Sequence, residues 1–285
     1  MKVTSPASLA EALTLLEGAT ADTRVLAGGT DLMVELEIGR TQPDQLINVW
    51  GLDELRGLAR DAAGLRIGAL CTCAELVRSP LVATTAPILA AAANEVGASQ
   101  IKNRATLGGN LGTASPAADL NPVLCALDAT VRLVSSAGTR EVPVAEFLTG
   151  YRATVRRPDE LIESIWLPDP APGQRAGFRK VGTRQAQSIS KVVVAVALVL
   201  DRDRITRLRA FAGSVAECTI ELPALASLVG SAPDLAALET AARAAARSDA
   251  RPVDDLRSTE QYRRLTLQRV LVSLIAGLLE GAPTA

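Results

Sequence analysis

Proline occupies three of the six positions in Pro168-Asp169-Pro170-Ala171-Pro172-Gly173, and this run constrains the fold more than any other stretch. Each proline fixes φ, lacks the N–H that a helix or central strand would use, and forces the preceding residue toward extended backbone. Neither kind of element can cross the run, so the chain divides into two units, residues 1–170 and 175–280. A length of 285 residues accommodates two domains at ~100–200 residues each.

The first unit reads as alternating helix and strand. Residues 5–16 carry apolar side chains at helical spacing, with Ser5 placed to cap, Pro6 at the first helical position and Gly18 to end the helix. Residues 24–27 form a short strand, broken by Gly28 and Gly29 before a helix through Leu32 and Leu36 that ends near Gly39. Strands follow at 46–49 and 65–70, and Thr72 with Glu75 has capping-box spacing for a helix that ends at Ser79-Pro80. An Ala-rich helix covers 87–96. Residues 97–122 show neither period and read as a long irregular segment, a length that usually signals function. Strands resume at 129–134 and 161–167.

In the second unit, strands are expected at 178–181, 192–200 and 204–212, the last two joined by a polar turn at Asp201-Arg202-Asp203. Helices are expected at 222–229, 235–247 and 260–279, which makes an α+β domain.

Composition narrows the chemistry. The chain has no histidine, which removes Ser-His-Asp and Cys-His nucleophiles, histidine metal sites and histidyl attachment of a cofactor. With 30 basic and 31 acidic side chains, net charge −1 and 2% aromatic residues, it suits neither nucleic-acid phosphates nor base stacking. Cys71, Cys73, Cys125 and Cys218 read as free thiols, because Cys71 and Cys73 are too close for a two-residue-gap metal or redox motif. The longest apolar run, 192–200, falls far short of the ~20 residues of a membrane helix, and the N-terminus lacks the apolar core of a signal peptide. A cytoplasmic, soluble protein with no membrane span is expected.

Two loops can carry a ligand. In Ala27-Gly28-Gly29-Thr30-Asp31-Leu32 the glycines let backbone N–H groups converge on one concavity suited to a diphosphate, and Thr30 adds a hydroxyl. Asp31 would repel phosphate unless it turns away to cap the helix. Read alone, the segment suits a plain strand-to-helix turn better than a nucleotide loop. The second runs from Ile101 to Asp119. It offers Gly108, Gly109 and Gly112 for close approach, and neutral donors at Thr106, Asn110, Thr113 and Ser115. Asp119 is its only acid and is suited to a pair of ribose hydroxyls. A surface loop packed on its own side chains accounts for it equally well. Two Gly-Gly loops in one domain turn the balance toward a dinucleotide site. Lys180 and Arg184 flank Gly182, where a cation can face a reduced flavin or a phosphate, although a solvated strand edge is the simpler account.

At these residues the chain resembles the FAD-binding medium subunit of the molybdenum hydroxylases, the xanthine dehydrogenase and carbon monoxide dehydrogenase family. The 27–32 segment resembles the family's first FAD loop, and 101–119 with Asn121-Pro122 its second. Residues 178–191 resemble the start of its C-terminal domain, and 254–264 the entry to its last helix. Residues 114–119 are closer to the xanthine dehydrogenase branch. The resemblance implies a two-lobed FAD-binding domain of the PCMH type (vanillyl-alcohol oxidase/MurB-like), followed by a small α+β domain of the CO dehydrogenase flavoprotein C-terminal type. It implies non-covalent FAD held by Ala27, Gly28, Gly29, Thr30, Asp31 and Leu32, and by Ile101, Thr106, Gly109, Asn110 and Thr113. Asp119 would meet ribityl or ribose hydroxyls and Lys180 the isoalloxazine, with aliphatic Val96 where some relatives place an aromatic. No catalytic side chain and no metal ligand is expected of this chain. The molybdenum cofactor would belong to a large partner subunit and the 2Fe-2S clusters to a small one, with electrons passing through FAD to NAD or another acceptor. A free-standing FAD oxidoreductase and a cofactor-less assembly subunit are the alternatives.

Overall fold

The computed structural model describes residues 1–184 and 187–281. Gln185 and Ala186, within the 178–191 segment, lie outside the described residues.

The chain begins with a small parallel sheet in which Gln45–Asn48 lies between Lys2–Thr4 and Thr23–Leu26. Helix Leu9–Glu17 buries Ala12 and Leu16 against this lobe, with Ile47, Val49 and Leu52 in the same core. Its cap is Ser8, whose side chain accepts from the Glu11 N–H, so the helix starts later than the Ser5-Pro6 signal suggested. The Glu11 carboxylate reaches back to the Ala7 N–H, a local gain that Ser5 does not have.

The second lobe is a five-stranded antiparallel sheet in the order Leu58–Arg60, Gly64–Gly68, Leu161–Pro168, Thr130–Ser135, Gly138–Pro143. Short helices cover it. The Thr72/Glu75 capping box is formed at Cys73–Arg78, and Pro87–Asn94 follows with Ile88, Leu89, Ala92 and Ala93 buried. The 97–122 segment, expected to be irregular, instead holds helices Ser99–Lys102, Leu107–Thr113 and Leu120–Ala126. Its glycines lower intrinsic helix propensity, but burying Leu107 and Leu111 on one helical face outweighs that cost.

After Pro168 ends its strand, the chain enters a four-stranded antiparallel sheet ordered Gln174–Val181, Val192–Asp201, Arg204–Gly213, Ile220–Glu221. Helices Leu235–Ala244 and Glu260–Glu280 cover its outer face. The expected helix at 222–229 is a 3-10 segment, Pro223–Leu228. Alternation along the second strand divides its side chains between two cores. Val192, Val194, Val196 and Leu198 join the outer helices, while Val193, Ala195 and Ala197 join the core of the five-stranded lobe.

Candidate functional site

The two Gly-Gly loops pack against each other. Gly28 lies so close to the 104–105 backbone that a Cβ there would overlap the Arg104 carbonyl oxygen and sit 2.6 Å from its carbon. Gly29 follows at φ +78°, a conformation that glycine adopts without strain. Its carbonyl accepts from the Met33 N–H, and Met33 lies in helix Leu32–Glu37. Among the described residues, the amides of Gly28, Gly29 and Thr30 donate to no protein acceptor. Ala27 packs on the first lobe's core and Leu32 is half-buried. Arg104 fastens the pair from outside: its Nε donates to the Gly28 carbonyl at 3.3 Å, and its guanidinium stacks 3.7 Å from the Trp50 ring centre. Arg56 lies against the same ring, at 4.6 Å.

The second loop is tied to the sheet behind it. Cys73 N–H donates to the Ala105 carbonyl, Leu107 N–H to Cys71 and Gly108 N–H to Ala69, all within 2.9 Å. A side chain at 108 would meet Ala69 Cβ at 2.6 Å, so glycine is what permits this approach. Thr106, expected as a ligand donor, is buried and caps Leu107–Thr113 by accepting from the Gly109 N–H. Asn110 is half-buried, and its Oδ1 has no partner among the described residues. Ala114 ends the helix in the left-handed region, φ 47°. Ile101 is 36% exposed at the loop's entry, and Val96 is half-buried against the main core.

Asp31 occupies the position before Leu32–Glu37 but makes no side-chain cap. Its carboxylate instead accepts from the Arg152 guanidinium at 3.0 and 3.2 Å, and from Thr113 Oγ1 at 3.4 Å. Arg152 also pairs with Glu35 at 2.7 Å. Burial raises the Asp31 pKa and Arg152 opposes that rise. The repulsion expected of an acid beside phosphate is thus met by a cation that lies 121 residues away in sequence. No local pattern points to Arg152, which sits at φ 53° in the turn after Tyr151.

Asp119 and Lys180, expected at separate parts of one ligand, form a single buried pair. Lys180 Nζ lies 2.6 Å from Asp119 Oδ2 and also donates to the Glu95 carbonyl at 3.1 Å. Burial pushes the Asp119 carboxyl up to about 6, with Lys180 and the Ser190 hydroxyl opposing it, and Oδ1 has no hydrogen-bond partner within 3.5 Å among the described residues. Arg184 folds back, donating to the Gln187 carbonyl at 2.6 Å.

The donor set suits a dinucleotide. It combines free loop amides, glycines whose Cβ positions are filled by neighbouring backbone, and buried acceptor atoms at Asn110 and Asp119 that lack partners. These groups fit the diphosphate and hydroxyls of FAD. Among the described residues no cluster of His, Cys, Asp or Glu is arranged to hold a metal, and no helix is long and apolar enough to cross a membrane. Burial drives the Cys71 and Cys73 thiols up to about 11 and 12, which keeps them protonated and unreactive.

Comparison with known proteins identifies the family. Residues 1–170 match the model of the FAD binding domain in molybdopterin dehydrogenase, and residues 177–278 that of the CO dehydrogenase flavoprotein C-terminal domain. The xanthine dehydrogenase FAD-binding subunit of Escherichia coli O157:H7 is 30% identical over 281 residues, covering 97% of this chain and 95% of its own. The carbon monoxide dehydrogenase medium chain of Hydrogenophaga pseudoflava is 29% identical over 260 residues, covering 91% and 90%. In three dimensions, carbon monoxide dehydrogenase from Hydrogenophaga pseudoflava superposes with a TM-score of 0.95 at 26% identity, covering 99% of this chain and 98% of that one. Quinoline 2-oxidoreductase from Pseudomonas putida gives 0.92 at 28% identity, with the same 99% and 98% coverage. With both family models matched in chain order, this chain belongs to the FAD-binding medium subunits of the molybdenum hydroxylases.

Proposed function

We propose that the chain is the electron exit of a heteromeric molybdenum hydroxylase. In this reading residues 1–170 hold one FAD non-covalently and residues 175–280 close over it, in a complex with a molybdenum-cofactor large subunit and a small 2Fe-2S subunit. When bound, FAD supplies storage for two electrons, filled singly from the 2Fe-2S clusters and emptied to NAD or another acceptor. The chain's residues bind and orient. Amides of Gly28, Gly29 and Thr30, with Gly109, Asn110 and Thr113 opposite, take the diphosphate and ribityl chain. Asp119 accepts from a hydroxyl through its unpartnered Oδ1, and Lys180 supplies positive charge beside the ring. The single observation that carries this reading is the Gly28–Arg104 contact, which builds one cradle from two loops far apart in sequence.

The test is acid release of chromophore from the purified chain, followed by substrate addition to the assembled complex. One FAD per chain is expected, bleached by substrate in the complex and unaffected by it in the chain alone. A colourless chain that takes up no added FAD would make it an assembly subunit. Rapid bleaching of the isolated chain by a small organic donor would make it a free-standing oxidoreductase.

Arg152 supplies a further expected result. Arg152→Leu leaves Asp31 without its ion pair at the diphosphate end, while Glu35 keeps only Arg40, at 3.6 Å. FAD affinity falls about tenfold at pH 8, scaled to one charge-assisted hydrogen bond. The loss shrinks toward pH 5, because Asp31, its pKa already raised by burial, takes up a proton more readily once the guanidinium is gone. Titration of the apo-chain with FAD at both pH values reads it, and an equal loss at both would mean that Asp31 does not face the ligand.

A further inference from the structure

The 254–264 segment, conspicuous in sequence, has no place in the cradle itself, yet it sends one side chain deep into the protein. Arg263, in the first turns of helix Glu260–Glu280, is 5% exposed. Its Nη1 donates to the carbonyl of Ser214 at 2.6 Å and to that of Lys191 at 3.0 Å, and its Nη2 to Asp255 Oδ1 at 2.8 Å. Asp255 Oδ1 also accepts from the Arg257 and Ser258 amides, which fixes the turn ahead of the helix.

The groups that Arg263 grips lead toward the ligand. Ser214 has φ 64°, a costly backbone state for a residue with a side chain, and it persists only where surroundings over-determine it. Here Arg263 holds its carbonyl, its N–H donates to the Pro116 carbonyl at 2.8 Å, and its Oγ donates to the Ser190 carbonyl at 3.0 Å. Ser190, 1% exposed, donates from Oγ to the Ala117 carbonyl at 3.1 Å. Gly213 closes on the same loop, where an added Cβ would lie 2.9 Å from the Pro116 carbonyl oxygen. Thus the Pro116 and Ala117 carbonyls, three and two residues before Asp119, are each held by a group that Arg263 braces from behind.

We propose that Arg263 is a positioning residue for the second FAD loop: through Ser214 and Ser190 it holds Pro116 and Ala117, and with them Asp119, in the binding geometry. A planar fork reaching two carbonyls and a carboxylate at once is a geometry that lysine cannot reproduce. The relay also explains why the domain that closes over the cradle starts its last helix with a buried cation. The proposal rests on the cradle reading above.

The test compares three full-length variants, each read in apo-form hydrogen exchange and in FAD titration. R263K is expected to speed exchange of the Ser214 and Ala118 amides and to weaken FAD, each about tenfold, in line with losing charged hydrogen bonds. Arg175, which donates to the Leu278 and Leu279 carbonyls at the far end of the same helix, provides the control. R175M is expected to lose thermal stability but to leave loop exchange and FAD affinity within about twofold, because it removes contacts of the same kind elsewhere. S190A, which removes the hydroxyl that reaches Ala117, Ser214 Oγ and Asp119 but leaves Arg263 in place, is expected to reproduce the faster Ala118 exchange, and it decides the matter if R263K does not fold. Unchanged loop exchange in R263K or S190A, or equal effects in R175M, would overturn the relay. Failure of the wild-type chain to bind FAD would overturn the cradle reading, while the apo exchange would still decide the relay.

Discussion

A Gly28→Ala chain is expected to lose FAD altogether at concentrations that saturate the wild type. The new methyl overlaps the Arg104 carbonyl oxygen and lies 3.4 Å from the Ala105 nitrogen, so everything it meets is backbone and no rotamer relieves it. That backbone is held in place: Arg104 and Ala105 amides both donate to the Ile101 carbonyl, and the Ala105 carbonyl accepts from Cys73. The loops must separate, and overpacking of this kind costs about 3 kcal/mol or more, roughly a hundredfold in affinity. Gly29→Ala is the contrast. It meets only side-chain ends, Met33 at 3.2 Å and Leu26 at 3.4 Å, so its main cost is the left-handed backbone, about 1–2 kcal/mol. Calorimetric titration of both apo-variants reads the ordering. If Gly28→Ala binds within twofold of wild type, the contact between the loops does not form the site.

Lys180→Met is expected to produce the largest loss of stability. It strands a carboxyl that is 9% exposed, and breaking a buried pair from one side costs about 3–5 kcal/mol. Because Lys180 lies on strand Gln174–Val181 and Asp119 just before helix Leu120–Ala126, the damage falls at the junction of the two units. The double variant with Asp119→Asn recovers part of the loss, since no charge is then buried. Asp119 also sets a pH signature. Its folded pKa is raised from 3.8 to about 6, so the folded chain retains a proton that the unfolded chain gives up. Its contribution to stability is therefore full below the unfolded pKa and declines as pH rises through the window to the folded one. Asp119→Asn should remove that decline, a difference on the order of 2 kcal/mol between acid and neutral pH. Urea denaturation of wild type and Asp119→Asn across pH 4–7 measures it, and parallel curves would show that the carboxyl does not titrate in this range.

What the sequence revealed depended on whether the signal was local. The capping box at Thr72 and the strand at 192–200 are written within a few residues each, and each is found at its expected place. The helix Leu107–Thr113 was legible in the spacing of Leu107 and Leu111, but three glycines in seven residues concealed it. Its stability comes from Ala69 and the sheet behind, which no local window contains. The two loops were legible as parts of one dinucleotide site, but the contact between Gly28 and Arg104 that joins them was not. Arg152 and Trp50, which neutralise and brace the first loop, come from distant turns with no motif of their own. The pairing of Asp119 with Lys180 likewise spans 61 residues and both units.

The strand that divides its side chains between two cores carries a consequence for how the molecule comes apart. Severed at the proline run, the C-terminal half would present Phe178, Val193, Ala195 and Phe211 to water as one sticky apolar face, and the N-terminal half would lose the lid on its own interior. Each half keeps a core of its own, but the one they share can be closed by neither alone. Denaturation is therefore expected to couple the two units through that shared core rather than release them independently. The two domains that comparison tells apart are joined by one interior.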